Sequence, residues 1–501
     1  MEATGGNSVV NSNLAHKLGN ENTIDVKTND IPLKWSSVPL SDVISRGKRL
    51  EASVFDVEAK QARNIIINGK YPCVPLLGEK GIVKNAYYPG RFKRIYCDKE
   101  NGEAFFLPSQ MTDIYPKADK YISKLTKCDI SKLKLQKDTL LLSRSGTIGT
   151  ISIVSKTTEG KVFSDDVIRV TFKNTIDLGY SYTFLKTKIG NIILSTNGYG
   201  SVITHLEPEH LQETYIPNAP KKIKERIHNL IVESFKLRDE SNELIDQATT
   251  LLIDELKLPP ISEFKQNNIK NSANVNAFSV KLSNLAGRVD ASYHLPTVDK
   301  IVEHLKKYAK EVTTIGDERI SKQIILAGVF KRTYVEEEYG YPFLGGKEIT
   351  QLSPKTEKYL SKPIHKKRYE KELKVTENTI LVTDRGTIGT TTIVPRHWNG
   401  YAVSQNVLKL VPANNNIAGY IYIFLNSEWG TELIRRQTYG SVVDMIDNNS
   451  LSSVEIPLLK NQGIQNRIND LALKANQKRY EAYILEQEAL KIMDEKVIYA
   501  K

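Results

Sequence analysis

The groups in this chain best suited to holding a polyanion recur in a few short segments. Lys93-Arg94 follows Phe92, and Lys331-Arg332 follows Phe330. Arg144 stands just before the run Gly146-Thr147-Ile148-Gly149-Thr150, and Arg385 adjoins the identical run Gly386-Thr387-Ile388-Gly389-Thr390. Tyr199 and Ser201 flank Gly200, as Tyr439 and Ser441 flank Gly440. Arginine is the commonest bidentate reader of guanine in the DNA major groove. Lysine and arginine also neutralise phosphates, a contact that carries no sequence information. A glycine between an aromatic ring and a hydroxyl suits either a close backbone approach to nucleic acid or a plain turn. The Lys-Arg pairs are the same in both places, so they cannot distinguish one target from another, and phosphate contact is their natural role. Arg144 and Arg385 sit one residue apart when the two runs are superposed, as base reading would require; salt-bridged scaffold arginines are the alternative.

Other chemistries find little support. The Gly-Thr-Ile-Gly runs lack the G-x-x-x-x-G-K pattern of a phosphate-cradling loop, and a strand-to-strand turn with glycine at positive φ explains them better. There is no N-P-P-[YF] or D-P-P-Y tetrapeptide and no Gly-rich adenosylmethionine loop. The eight histidines, His205, His210, His294 and His397 among them, show no metal-ligand spacing. Asp165-Asp166 becomes Gln405-Asn406 in the second occurrence, which argues against a shared carboxylate catalyst.

Composition points the same way. The 501 residues exceed what one core usually supports, and 70 Lys+Arg against 58 Asp+Glu leave a net charge of +12. Residues 84–134 hold eleven basic and six acidic side chains, more basic than the whole. Cys73, Cys97 and Cys128 form no C-x-x-C pair and read as reduced structural thiols. No apolar run is long enough to cross a bilayer, and residues 1–29 are polar with no signal-peptide core. The expectation is a cytoplasmic protein with a disordered leader over 1–34.

The elements that must position these groups are written twice, about 240 residues apart. Arg49-Leu50-Glu51-Ala52-Ser53 recurs as Arg288-Val289-Asp290-Ala291-Ser292, and Tyr199-Gly200-Ser201-Val202 as Tyr439-Gly440-Ser441-Val442. Ile216-Pro217 recurs as Ile456-Pro457. Each copy is rich in short β-branched segments, at 139–143, 150–154 and 167–172 and again at 379–383, 390–394 and 407–411. Helices are predicted over 180–196 and 420–436, which makes each unit α+β. Each copy then ends in a long helix with apolar or small residues at alternating spacings of four and three. The seam is Ile223, Ile227, Leu230, Ser234, Leu237, Ser241, Leu244, Ala248 and Leu251 in the first helix. In the second it runs from Ile464 through Ala475, Ala482 and Ala489 to Ile492 in the same register. One column of this seam is small throughout its later turns, allowing close approach of two backbones. Pro259-Pro260 and the Asn-rich stretch that follows mark a linker. The predicted organisation is a first unit at 35–217, a helix at 218–258, a linker at 259–277, a second unit at 278–457 and a last helix at 458–501. The two helices pair as an antiparallel coiled coil. Residues 56–86 and 295–324 do not align, so the units should differ in what they contact.

This order of segments, met twice, resembles the specificity subunits of type I restriction-modification enzymes, the HsdS family. The resemblance covers about 35–499 and rests on the R-[LV]-[DE]-A opening, the F-K-R-x-Y segment, the L-[LV]-x-x-x-G-T-I-G hairpin, the Gly-Ser loop and the Ile-Pro before each helix. It implies two target-recognition domains that each read half of a split asymmetric site in double-stranded DNA. It also implies helices that set the spacing and dock two methyltransferase subunits, which a restriction and translocase subunit can join. The subunit itself is then non-catalytic and binds no cofactor, with S-adenosylmethionine on the methyltransferases. A recognition subunit of a related methylation-based defence system, a stand-alone nuclease or methyltransferase, and a coiled-coil adaptor without DNA specificity are the competing readings.

Overall fold

The computed structural model describes residues 37–45, 48, 50, 52–200, 204–265, 278–285, 287–354 and 358–501. The leader expected over 1–34, Arg49 and Glu51 of the opening motif, Ser201, and most of the polar linker lie outside the described residues.

Leu140, Leu141 and Leu142 are buried on both faces, which makes Leu140–Ser143 an inner strand. It pairs with Ile151–Ile153 on one side and Val167–Phe172 on the other, and Val83–Tyr87 closes the sheet, all antiparallel. A second four-stranded sheet has the order Tyr96–Cys97, Lys120–Ser123, Gly102–Phe106, Val162–Phe163, its last pair parallel. Cys73–Pro75 with Tyr215–Pro217 forms a short ribbon at the base. The second unit repeats all three sheets with the same strand order, starting at Glu311–Thr314, Ser321–Ile325 and Tyr334–Val335. Even the bulge in the first strand of the larger sheet recurs, between Val83 and Asn85 and between Ser321 and Gln323.

Where one helix was predicted over 180–196, the chain forms two, Ile176–Lys186 and Lys188–Thr196. The Thr187 Oγ1 accepts from Gly190 N at 3.1 Å and so caps the second one. Ser427 does the same for Gly430 between Asn415–Asn426 and Glu428–Arg436. The helix Ile176–Lys186 lies so close to the following long helix that a Cβ on Gly179 would meet the His228 backbone at 2.8 Å. Gly419 is bound in the same way by Asn469. The Ile-Pro motif is held by Tyr180 and Tyr420, whose hydroxyls donate to the carbonyls of Pro217 and Pro457, each at 2.6 Å.

The long helices are Lys221–Leu256 and Gln462–Met493. They run antiparallel, with Arg226 bonded to Glu488 at 3.0 Å, Ser234 Oγ donating to the Ala482 carbonyl at 2.7 Å, and Glu240 paired to Lys478. Ser234, Ser241, Ala248, Ala475, Ala482 and Ala489 are fully buried, so the small column is where the helices touch. The larger apolar column is only half-buried at Leu230, Leu237 and Leu244. Each helix turns its remaining buried face to both units. The core of the first unit includes Ile227, Ile231 and Phe235 from the first helix and Ala489, Ile492 and Met493 from the second. The core of the second unit includes Ile245, Ala248, Leu252 and Leu256 from the first helix and Ile468, Leu471 and Ala475 from the second. Every unit is therefore finished by the end of the other unit's helix.

Candidate nucleic-acid interface

In the first unit one network joins segments far apart in sequence. The turn after Leu140–Ser143 brings Arg144 beside Asp166, its amide donating to the Asp166 carbonyl at 3.0 Å. The Arg144 guanidinium reaches Glu207 at 2.5 Å and Asp166 at 3.4 Å, and its Cζ lies 4.2 Å from the ring centre of Tyr88. Tyr199 donates its hydroxyl to the same Glu207 oxygen at 2.9 Å. Arg94 closes the other end, donating to Asp165 at 2.6 Å and to Ser164 at 3.2 Å. Burial alone would raise the Glu207 carboxyl, but the bonds from Arg144 and Tyr199 hold it below the usual carboxylate range.

The second unit assembles the same positions with different charges. Arg332 donates to Gln405 at 2.7 Å in place of the Arg94–Asp165 ion pair. Asp384 occupies the position of Arg144, is fully buried, and takes Arg385 as its partner at 2.9 Å. Its carboxyl is pushed up by burial, against the pull of Arg385. Tyr439 donates to Asp447 at 3.2 Å, as Tyr199 does to Glu207. Two cations facing three carboxylates in one unit thus become two facing two in the other.

These positions sort the candidate residues. Lys93, Lys331 and Ser441 are exposed and form no ion pair with a described residue. Tyr199 and Tyr439 are 38% and 41% exposed, each with its hydroxyl tied back to a carboxylate. Arg385 keeps 37% of its side chain in solvent. Only 6% of the Arg144 side chain is exposed, and its two terminal nitrogens bond to Asp166 and Glu207, the arrangement of a salt-bridged scaffold arginine. Arg94 and Arg332 likewise bond inward, to Asp165 and Gln405, beside their exposed neighbouring lysines. Ser201 falls outside the described residues.

The glycine runs connect adjacent antiparallel strands, with Gly146 and Gly149 at φ 76° and 87° and Gly386 and Gly389 at 73° and 85°. They are turns of a kind only glycine enters without strain. The two units match the family model of the type I restriction modification DNA specificity domain at residues 89–247 and 324–471, more than half of the chain.

The chain belongs to this family.

Among solved structures, this specificity-domain chain is similar to the S subunit of a type I restriction-modification system from M. genitalium. The identity is 14% and the TM-score 0.28, over 85% of this chain and 98% of that one. It is similar to the HsdS subunit from Thermoanaerobacter tengcongensis at 12% identity and TM-score 0.26, over 85% and 99%. A chain from work on complex assembly and conformational transition of the type I R-M system matches at 12% identity and TM-score 0.26, over 86% and 97%. No curated protein matches.

The specificity domains also use residues that were not among the DNA-binding candidates. Tyr88, Asp165, Asp166 and Glu207 build the first network, and only the replacement of Asp165-Asp166 by Gln405-Asn406 hinted at it. Arg288 of the R-V-D-A motif donates to the carbonyls of Gln437 and Thr438 and so anchors the Tyr439 loop from behind. Among the described residues no group of three or more His, Cys, Asp and Glu side chains is placed to hold a metal, and Cys73, Cys97 and Cys128 are free thiols. No described helix is long and apolar enough to cross a membrane.

Proposed function

We propose that this chain is the DNA-recognition subunit of a type I restriction-modification enzyme, in which each unit reads one half of a split asymmetric site. The observation that carries this reading is one scaffold built twice around antiparallel helices, with equivalent loop positions bearing different charges. A duplex has its own approximate twofold axes, so two units related in this way can meet the two halves of a site in equivalent orientations. Lys93 and Lys331, alike in both units, contact phosphates, while Arg385 and the Tyr439, Ser441 and Val442 loop approach base edges in the second half-site. The subunit performs no catalysis of its own. S-adenosylmethionine belongs to two methyltransferase subunits docked on it, which a restriction subunit can join, and the assembly acts on cytoplasmic DNA.

Sequencing the methylated bases of a host that expresses this chain with its methyltransferase partner tests the reading. The expected result is one bipartite motif with two unlike halves. A continuous motif, or a motif unchanged when the chain is replaced by another specificity subunit, overturns it. Purified chain incubated with DNA and S-adenosylmethionine should transfer no methyl group.

A further inference from the structure

The duplication supplies an internal control for one buried charge. In the contact between the helices and the first unit, Glu486 is fully buried. It accepts from Tyr182 at 2.6 Å, Arg238 at 2.8 Å, Lys186 at 2.9 Å and, with its other oxygen, Ser353 at 2.6 Å. Two cations share one internal carboxylate. At the equivalent place in the second unit that carboxylate is missing, because the residue 241 positions earlier is Ile245. The cations are not missing. Arg479 takes the place of Arg238 and is 3% exposed, with its Nη2 bonded to no described residue and its Nε reaching Ser241 Oγ at 3.4 Å. Lys117 enters from the first unit and donates to Asn426, the counterpart of Lys186, at 2.7 and 2.9 Å. Tyr422 stands where Tyr182 does, and its hydroxyl donates to no described residue.

Arg479, Lys117, Tyr422 and Asn426 line one cleft of about 1040 Å³ between the units. Of the acids on its walls, Asp290 pairs with Arg288 at 2.6 Å and Glu432 with Lys265 and Arg435 at 3.6 and 3.7 Å, while the exposed Asp119 and Asp444 form no ion pair with a described residue. Asp113 bonds to Thr350 on the opposite wall. A buried guanidinium nitrogen without an acceptor is costly. We propose that this cleft binds a phosphate group beside the buried Arg479, with Arg479 and Lys117 as its counter-charges and Tyr422 and Asn426 as neutral donors.

The phosphate has two possible sources: a free phosphate-bearing small molecule, or a backbone phosphate of DNA held on the Gly386 and Tyr439 loops, which line the same cleft. Thermal unfolding of the full chain in millimolar sodium phosphate, against sodium chloride of equal ionic strength, tests the site. The unfolding temperature should rise saturably with phosphate. Ile245→Glu, which restores the internal carboxylate, should remove that response, and Lys117→Gln should weaken apparent phosphate affinity about tenfold. Absence of a saturable rise, or an undiminished rise in Lys117→Gln, overturns the proposal even if Ile245→Glu does not fold. If the phosphate comes from DNA, inorganic phosphate competes with duplex and Lys117→Gln loses duplex affinity. If it is free, duplex affinity is the same in both proteins. A chain that responds to phosphate but binds no DNA keeps this site and loses the recognition role.

Discussion

At the scale of single residues, the two arginines nearest the glycine turns have opposite fates. Arg144 is tied to Glu207 and Asp166, whereas Arg385 keeps a third of its side chain in water. Arg144→Ala should therefore act on stability. Glu207, 18% exposed, would lose its main partner, at a cost of about 1–3 kcal/mol readable by urea unfolding. A stable variant with an altered base preference would show instead that Arg144 turns outward to read DNA. Lys93→Ala with Lys331→Ala should weaken binding to every duplex alike and lower the log-log salt slope by roughly 0.9 for each lysine, measured by fluorescence anisotropy. Glu486 adds a pH dependence. Despite its burial, Lys186 and Arg238 hold its carboxyl well below the ordinary value of 4.5. A depressed carboxylate stabilises the fold above its unfolded pKa, so this contribution is complete at neutral pH and is lost as pH falls below about 4.5. Glu486→Gln should lose stability at pH 7, by about 3 kcal/mol, and show a flatter acid limb.

The elements were legible where a local pattern suffices and obscure where the partner is distant in sequence. The small column at Ser234, Ser241 and Ala248 announces close helix contact, and the strands announce themselves by the leucine run at 140–142 and the β-branched residues at 167–172. The break at Thr187 was hidden, because a threonine within a helical pattern reads as helix until its hydroxyl is seen to cap the next turn. The networks were hidden too: Arg94 meets Asp165 across 71 residues and Arg144 meets Glu207 across 63. The seam alone suggests a spacer held only at its ends, yet the units grip the helices along their length. Asp239 accepts from Ser155, Lys156 and Thr157 of the first unit, while Phe235, one turn earlier, packs on Tyr182 of the same unit. Inserting a heptad after Leu237 must break one of these grips, and the expected outcome is a loss of about 3 kcal/mol or more in unfolding measurements. An insertion that keeps full stability and lengthens the gap between half-sites would show the helices to be a bare ruler.

For the whole molecule, what matters is that neither unit owns its entire core. Residues 1–258 carry one unit and one helix, but lack Ala489, Ile492 and Met493, which close that unit. The equivalent positions of a second copy, Ala248, Leu251 and Leu252, can replace them, so this fragment should be a dimer by light scattering. Such a dimer leaves Arg238 and Lys186 without Glu486 at both ends, and Ile245→Glu in the fragment should tighten it. A strictly monomeric fragment would refute the interchange. The same division of the core has a consequence for biosynthesis. At about 5–20 residues per second, the ribosome needs roughly ten to fifty seconds after finishing the first unit to deliver the helix end that completes it. Throughout that interval the apolar surface destined for Ala489, Ile492 and Met493 is bare on the nascent chain. The unit made first is thus among the last to become stable, and any chaperone serving this protein should engage it during synthesis, before the last helix emerges.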